Sequence, residues 1–432
     1  MKIFNAVIIL CAIVMIPVVL QAAQSENINS GVIEVPSSSE YTYETQASEA
    51  QQYASLHSGT YLGAYGLTIN NTDKNYLPLY EDLNLKYPIL GDNLGIEASG
   101  WLRYDALTTV YTGRTNVDMS YGYLNYRPKF LPLRLKLGRI YSWFGTANDR
   151  YDGLELMLGN GNLYGFGLGA FVGSEVDSEL HDTPGGVTTG GRLSYDRSMF
   201  GVGGSIFYAE NSGNISQERW GADGWIRPVD MLYLFGRYYY DMIDKRAYDG
   251  TVKLSLTPLK KLFLDADYAL FNPASLIDKT SIFWVFNTET YRTLNGDIGY
   301  RILDDLSVAL DATKYMYSSE GNSYSYGGRI NYNKQPYSAG LELNKTDANP
   351  TDYLRTRLYI FRSFAMGIYA NIEAIYTSYL GELNGYDHSI TGHVAVGKTI
   401  AHGMKLTLSG DSIDGPYVRH GGFAMLSLKY DL

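Results

Sequence analysis

The sequence predicts an all-β chain closed on itself, a transmembrane antiparallel β-barrel of about 22 strands with no plug domain. Three observations lead there. Segments in which apolar and polar residues alternate with period two recur along most of the chain. Long and short connections alternate between those segments. The final stretch, Phe423 to Leu432, is itself one of them.

That last stretch places Ala424, Leu426, Leu428, Tyr430 and Leu432 on one face, and Ser427, Lys429 and Asp431 on the other. A strand with one apolar and one wet face reads this way. An open sheet ending so would expose a sticky edge, whereas a closed sheet pairs its last strand with its first. The ending resembles the C-terminal strand of bacterial outer-membrane β-barrels, with Leu432 where Phe is usual. The resemblance implies that Leu426, Leu428, Tyr430 and Leu432 form the signal read by the barrel-assembly machinery.

Composition fits that reading. Among 432 residues, 40 are Tyr and 46 are Gly, and aromatic residues reach 14% while charged ones reach 19%. The mean hydropathy is −0.17, far too low for a bundle of membrane helices. Aromatic-rich strands suit a membrane barrel, whose interfaces carry girdles of such residues. Residues 1–23 read as a secretory signal, with Lys2 ahead of the apolar run Ala6 to Leu20 and small residues Ala22 and Ala23 before Gln24. No other segment approaches the ~18 consecutive apolar residues of a spanning helix. The single cysteine, Cys11, lies in the signal, so the exported chain is expected to have no disulfide, thiolate metal site or covalent c-type haem. Loss of Lys2 takes the formal charge from −10 to −11, which argues against nucleic acid as a partner.

Residues 24–57 contain Glu26, Glu34, Glu40, Glu44 and Glu49 without Lys or Arg, and show no alternation. They are expected to form an acidic mobile periplasmic segment, leaving residues 58–432 for the barrel. Within the barrel, Ile96, Ala98, Gly100, Leu102 and Tyr104 face one way, with Glu97, Arg103 and Asp105 opposite. Leu262 to Leu270 oppose Asp265 and Asp267 in the same manner, as Leu306, Val308, Leu310 and Ala312 oppose Asp311. Short turns fall near 90–95, 127–131, 228–231, 258–261 and 400–403; longer links fall at 108–118, 173–186, 273–291, 379–388 and 412–421. Short periplasmic turns and long external loops are the arrangement of membrane barrels. From Pro78 onward there are 21 candidate strands, the first entering a short turn from outside. Tyr61 to Ile69 must therefore climb before it, which makes 22; one miscounted hairpin would make about 20.

The lumen phase yields the candidate pore-lining residues Glu97, Arg103, Arg134, Lys136, Arg192, Arg237, Asp265, Asp267, Arg301, Asp311, Arg329, Arg355, Arg357 and Glu373, a mixed and nearly balanced wall. Arg355 and Arg357 are the best candidates for an anion-attracting ladder, or else pair with neighbours and stiffen the wall. Arg139 in LPLRLKLGRIY falls on the lipid phase; either Gly138 makes a bulge that turns it inward, the favoured reading, or it sits at the interface. That strand, followed by the Asp152-Gly-Leu strand, resembles those of several porin-like barrels. The run Ile282, Phe283, Trp284, Val285 and Phe286 has no polar face and reads as an interface belt or an inward constriction. The six histidines make no metal site, no nucleophile elbow, phosphate loop or zinc motif is present, and no enzyme activity or cofactor is expected.

The resemblance implies a porin-like channel for small polar or charged solutes in the Gram-negative outer membrane. The alternative is a sheath: a wide unplugged barrel resembles the barrel component of porin–cytochrome conduits, in which a periplasmic multihaem cytochrome fills the lumen. The segment before the first strand is too short for a plug, and outer-membrane lipid and a second copy of the chain complete the expected partners.

Overall fold

The computed structural model describes residues 54–69, 72–107, 114–159, 164–176, 186–211, 213–272, 290–318, 321–348, 351–401 and 403–431. The expected signal, most of the acidic segment and the run from Ile282 to Phe286 lie outside these residues, as does Leu432. One antiparallel sheet holds every strand, and it closes. Ser55–Ile69 pairs with Arg419–Asp431, with Tyr61 opposite Ser427 and Tyr65 opposite Phe423. His57 Nδ1 lies 2.7 Å from Asp431 Oδ1 at the foot of this seam. The strand therefore starts at Ser55, before the boundary expected at 58.

On its other side the first strand pairs with Thr72–Tyr76 and then Pro78–Pro88. These two pieces are one wall strand interrupted at Leu77, so the 23 segments of the sheet make a 22-strand barrel. The only helical turn among the described residues is Ala365–Gly367, within one of the short connections.

The lipid phase is where the alternation put it. Leu310, Val117 and Ile206 are each about two-thirds exposed, which only a lipid environment tolerates along a whole barrel belt. One expected long link is not a loop. Ile368–Leu383 and Tyr386–Ala401 continue as a 16-residue pair joined by Asn384 and Gly385. Both turn residues have positive φ, 53° and 80°, the Asn-Gly geometry that matches the twist of a tight hairpin. A register shift between Ser378 and Leu383 breaks the alternation there, which hid the strand extension in the sequence.

Candidate functional site

A membrane barrel has polar wall and little core, yet this one has a compact apolar cluster. Ile140, Phe144, Tyr151, Phe171, Phe207 and Ala209 pack together, all nearly inaccessible. Phe171 shares the face of Glu155, and Phe207 that of Gly190, so both point into the lumen. Ile140, Phe144 and Tyr151 belong to the hairpin made by Leu133–Phe144 and Ala147–Leu158. This hairpin leaves the wall and folds over the inner faces of the strands that follow it.

The departure point is Gly138. Its φ is +134°, and a Cβ there would stand 2.3 Å from the Gly122 carbonyl oxygen, so only glycine fits. The strand Thr115–Tyr126 pairs with the hairpin only up to Gly122 opposite Arg139. At the tip, the Thr146 amide donates to Ser205 Oγ at 3.1 Å. Phe144 stacks on Phe171 at 5.9 Å between ring centroids, and Tyr151 on Phe171 at 4.7 Å. Glycines on the lumen phase make room: a Cβ at Gly169 would lie 2.3 Å from Phe144, and one at Gly221 would lie 2.4 Å from Thr146 Cγ2. Beneath the root, Lys136 Nζ meets Glu155 Oε1 at 2.7 Å, and the Tyr151 hydroxyl donates to Glu155 at 3.2 Å.

Arg139 is turned inward, but not by a bulge. Its pairing with Asp152 continues the register without a shift. The whole hairpin bends, so its formerly lipid-facing side meets the lumen. Arg139 forks onto Asp152 at 2.9 and 3.0 Å and reaches Asp118 at 3.8 Å. Arg150 also donates to Asp118. Asp118 lies opposite Trp101, on the lumen phase of the neighbouring wall.

The covered wall holds orphaned hydroxyls. Thr188, between Gly173 and Ala209 on the lumen phase, is fully buried and its Oγ1 has no partner; Thr146, at the tip of the covering hairpin, is in the same state. Leaving a buried hydroxyl unmade costs about 1–3 kcal/mol. Thr188→Val keeps the shape and removes the orphan, so the variant should raise the melting temperature of the folded barrel. An unchanged or lower midpoint would mean that the site is wet.

Most of the other lumen-phase residues expected from sequence have a polar or ionic partner. Glu97 accepts from Tyr123 at 2.9 Å and Asn125 at 2.7 Å, with Arg134 at 3.8 Å. Arg103 meets Asp105 at 3.0 Å, Arg192 meets Asp223, and Arg237 meets Asp249 at 2.9 Å. Asp265 accepts from Ser255 at 2.5 Å and Asp267 from Asn295 at 3.1 Å. Arg301 sits on the lumen phase opposite Ser307, near a short turn. Opposite-charge partners missed from sequence, Asp118, Glu155, Asp223 and Asp249, have no repeating motif of their own. The lumen-phase glycines were the available signal for the hairpin.

Arg329 on Asn322–Lys334 and Arg355 and Arg357 on Tyr353–Ser363 flank the strand Tyr337–Asp347, away from the hairpin's footprint. Arg329 meets Asp297 at 2.6 Å and Asp311 at 3.8 Å. Arg355 meets Glu342 at 3.1 Å; Arg357 meets Glu373 at 2.8 Å and Glu342 at 3.7 Å. Of the two roles expected for Arg355 and Arg357, an anion-attracting ladder or pairing with neighbours, the ion pairs are present. The pairs are lopsided, however: side-chain exposure is 43% for Arg355 against 24% for Glu342, and 36% for Arg329 against 12% for Asp297. In each pair the arginine side chain is the more exposed partner.

No protein-family model and no curated protein matches this sequence. Solved structures do resemble it. The translocation pore of the P pilus usher PapC aligns with a TM-score of 0.52 at 11% identity, over 87% of this chain and 99% of that one. Weaker likenesses are to OccK8 (OprE) of Pseudomonas aeruginosa, TM-score 0.44 at 11% identity over 88% and 97%, and to OpdK of the same organism, 0.41 at 10% over 88% and 98%. The likeness is one of fold. The chain is a closed 22-strand antiparallel β-barrel, the architecture it shares with the usher pore.

Proposed function

We propose that the chain is an outer-membrane channel through which small polar or charged solutes diffuse, narrowed by its inward-folded hairpin. The observation that carries this reading is the contrast across the lumen. One side is sealed by the apolar cluster around Phe171, while Arg329, Arg355 and Arg357 remain a third or more exposed. A water-filled path beside a charged wall is what a diffusive pore needs. Its orientation follows from the short turns, which are periplasmic in such barrels. A sheath around a multihaem cytochrome gains no support, because the hairpin takes up lumen that such a partner would fill.

The test is conductance of the purified barrel in a planar bilayer, where absence of current in any salt would end the channel reading. Selectivity gives a sharper result. Charges on a wall backed by low-dielectric lipid bias passing ions. Arg355→Glu with Arg357→Glu would leave Glu342 and Glu373 without their cations among added carboxylates. The reversal potential under a salt gradient should move toward cations, and the shift should fade at high salt, where screening shortens to ~3 Å at 1 M. A barrel that fails to assemble instead would show that the arginines chiefly brace the wall.

A further inference from the structure

Charges on the lipid phase of a barrel are costly at mid-membrane and tolerated at its edges, from about 2–4 kcal/mol for Arg or Lys at the midplane to about 0–1 near the interface. Three cations stand on that phase in one sector of the wall. Arg292 lies opposite Leu270 and Met316, Lys314 opposite Leu294 and Tyr324, and Lys345 opposite Tyr326 and Leu354. Lys314 and Leu310 share a face, and Leu310 is among the most exposed apolar residues of the belt. All three cations lie toward the end of the barrel that carries the longer connections, where the apolar belt stops.

Their surroundings leave two of them available. Lys345 Nζ is held by Asp347 Oδ1 at 2.7 Å. Arg292 and Lys314 have no ionic partner among the described residues. Lys314 Nζ lies 5.7 Å from the centroid of Tyr324, which stacks on Tyr326 at 6.5 Å. Arg292 and Lys314 are diagonal neighbours on adjacent strands, about 7–8 Å apart at the backbone. Lys345 stands two strands from Lys314, about 10 Å away across the sheet. The pattern is not a general property of this rim. In the sector formed by Phe200–Asn211 and Asn214–Val229, the corresponding outward positions around Tyr208 hold Glu210 and Glu218.

We propose that Arg292 and Lys314, flanked by Lys345, form an outward-facing site for the phosphate of a lipid headgroup in the outer leaflet. The chemistry is that of a charge-assisted pair: a guanidinium offers parallel N–H donors to phosphate oxygens, and an ammonium adds a point charge beside it. The tyrosines supply the amphipathic belt against which the glycerol or sugar region of such a lipid packs. A juxtamembrane cation near an anionic surface also gains from that surface's potential, and the gain falls off within a Debye length.

The test uses the folded barrel in phosphatidylcholine nanodiscs doped with phosphatidylglycerol, with retained lipid counted by native mass spectrometry. The wild type should retain the anionic lipid, and Arg292→Gln with Lys314→Gln should retain about tenfold less, as expected for loss of charge-assisted contacts. Arg362→Gln with Lys398→Gln, cations on the lipid phase at the opposite rim, should behave as wild type. Equal retention by the Arg292 and Lys314 variant, or an equal loss in the control pair, would overturn the proposal. Displacement of the lipid by millimolar inorganic phosphate would also overturn it, in favour of a free-anion site. Should the double variant fold poorly, Lys314→Gln alone gives the same comparison. Single-channel conductance should be unchanged in all of them, since these residues stand on the outer wall, so failure of the lipid site and failure of the channel reading are separable.

Discussion

Replacing residues 141–150 with an Asn-Gly turn should raise the single-channel conductance severalfold while the barrel still assembles. The wall pairing of Leu133 to Leu137 with Leu154 to Leu158 lies outside the deletion and keeps the hairpin root in register. An Asn-Gly turn suits the right-handed twist of the shortened pair. What is lost is the plug of side chains over the lumen: Phe144 leaves Phe171, and Thr146 leaves Ser205. Exposure of Phe171 and Phe207 to water costs roughly 1.5–3 kcal/mol each, which lowers stability without removing the barrel. A companion variant asks whether the hairpin moves. Thr146 approaches Gly221 closely, so Thr146→Cys with Gly221→Cys should bridge on oxidation once Tyr239→Ala removes the ring that would otherwise lie 2.4 Å from the new Cβ. The oxidised protein should show the small conductance with fewer fluctuations, and reduction should restore them. Equal conductance in the deletion and the wild type would show that the hairpin does not limit the current.

Leu310→Arg should block or sharply reduce membrane assembly, whereas Asp311→Asn, one residue away, should assemble normally. Leu310 is two-thirds exposed on the lipid phase, opposite Ile298 and Gly328. An arginine near mid-membrane costs roughly 2–4 kcal/mol, a large share of a barrel's margin. Asp311 faces the lumen, where its nearest cation, Arg329, already has the closer partner Asp297. Loss of that carboxylate should therefore leave assembly intact. Heat-modifiable migration of the folded species measures both, and equal defects would mean that the strand's phase is reversed.

Much of the barrel was legible before its coordinates because strand patterning is local. Leu306, Val308 and Leu310 identify their own face without reference to any partner strand. The parity of connections supplied the one non-local fact, that Tyr61 to Ile69 must pair with the last strand, and Tyr65 does sit opposite Phe423. The constriction was not legible for the complementary reason. Ile140, Ser142 and Phe144 alternate with Arg139 and Tyr141 just as a wall strand would, and alternation does not record whether the strand stays in the wall. Only contacts across long sequence distances decide that, such as Phe144 over Gly169 and Thr146 against Gly221. The expected bulge at Gly138 located the right residue and the wrong event: a departure from the sheet, not an extra residue within it. The ion pairs of Arg192 and Arg237 were missed similarly, since Asp223 and Asp249 become neighbours only through register.

The seam between Ser55–Ile69 and Arg419–Asp431 has a kinetic consequence. His57 and Asp431 are 374 positions apart, so the contact that closes the cylinder spans nearly the whole of the described residues. Loop-closure entropy grows only slowly with such a span, but contact order of this kind makes folding slow. Every hairpin between them can zip locally and early. Until the last pairing forms, both margins of the growing sheet present unpaired amide and carbonyl groups, which hydrocarbon does not solvate. Closure must therefore be close to simultaneous with insertion, and whatever shields those two margins in the interval governs the yield of folded protein.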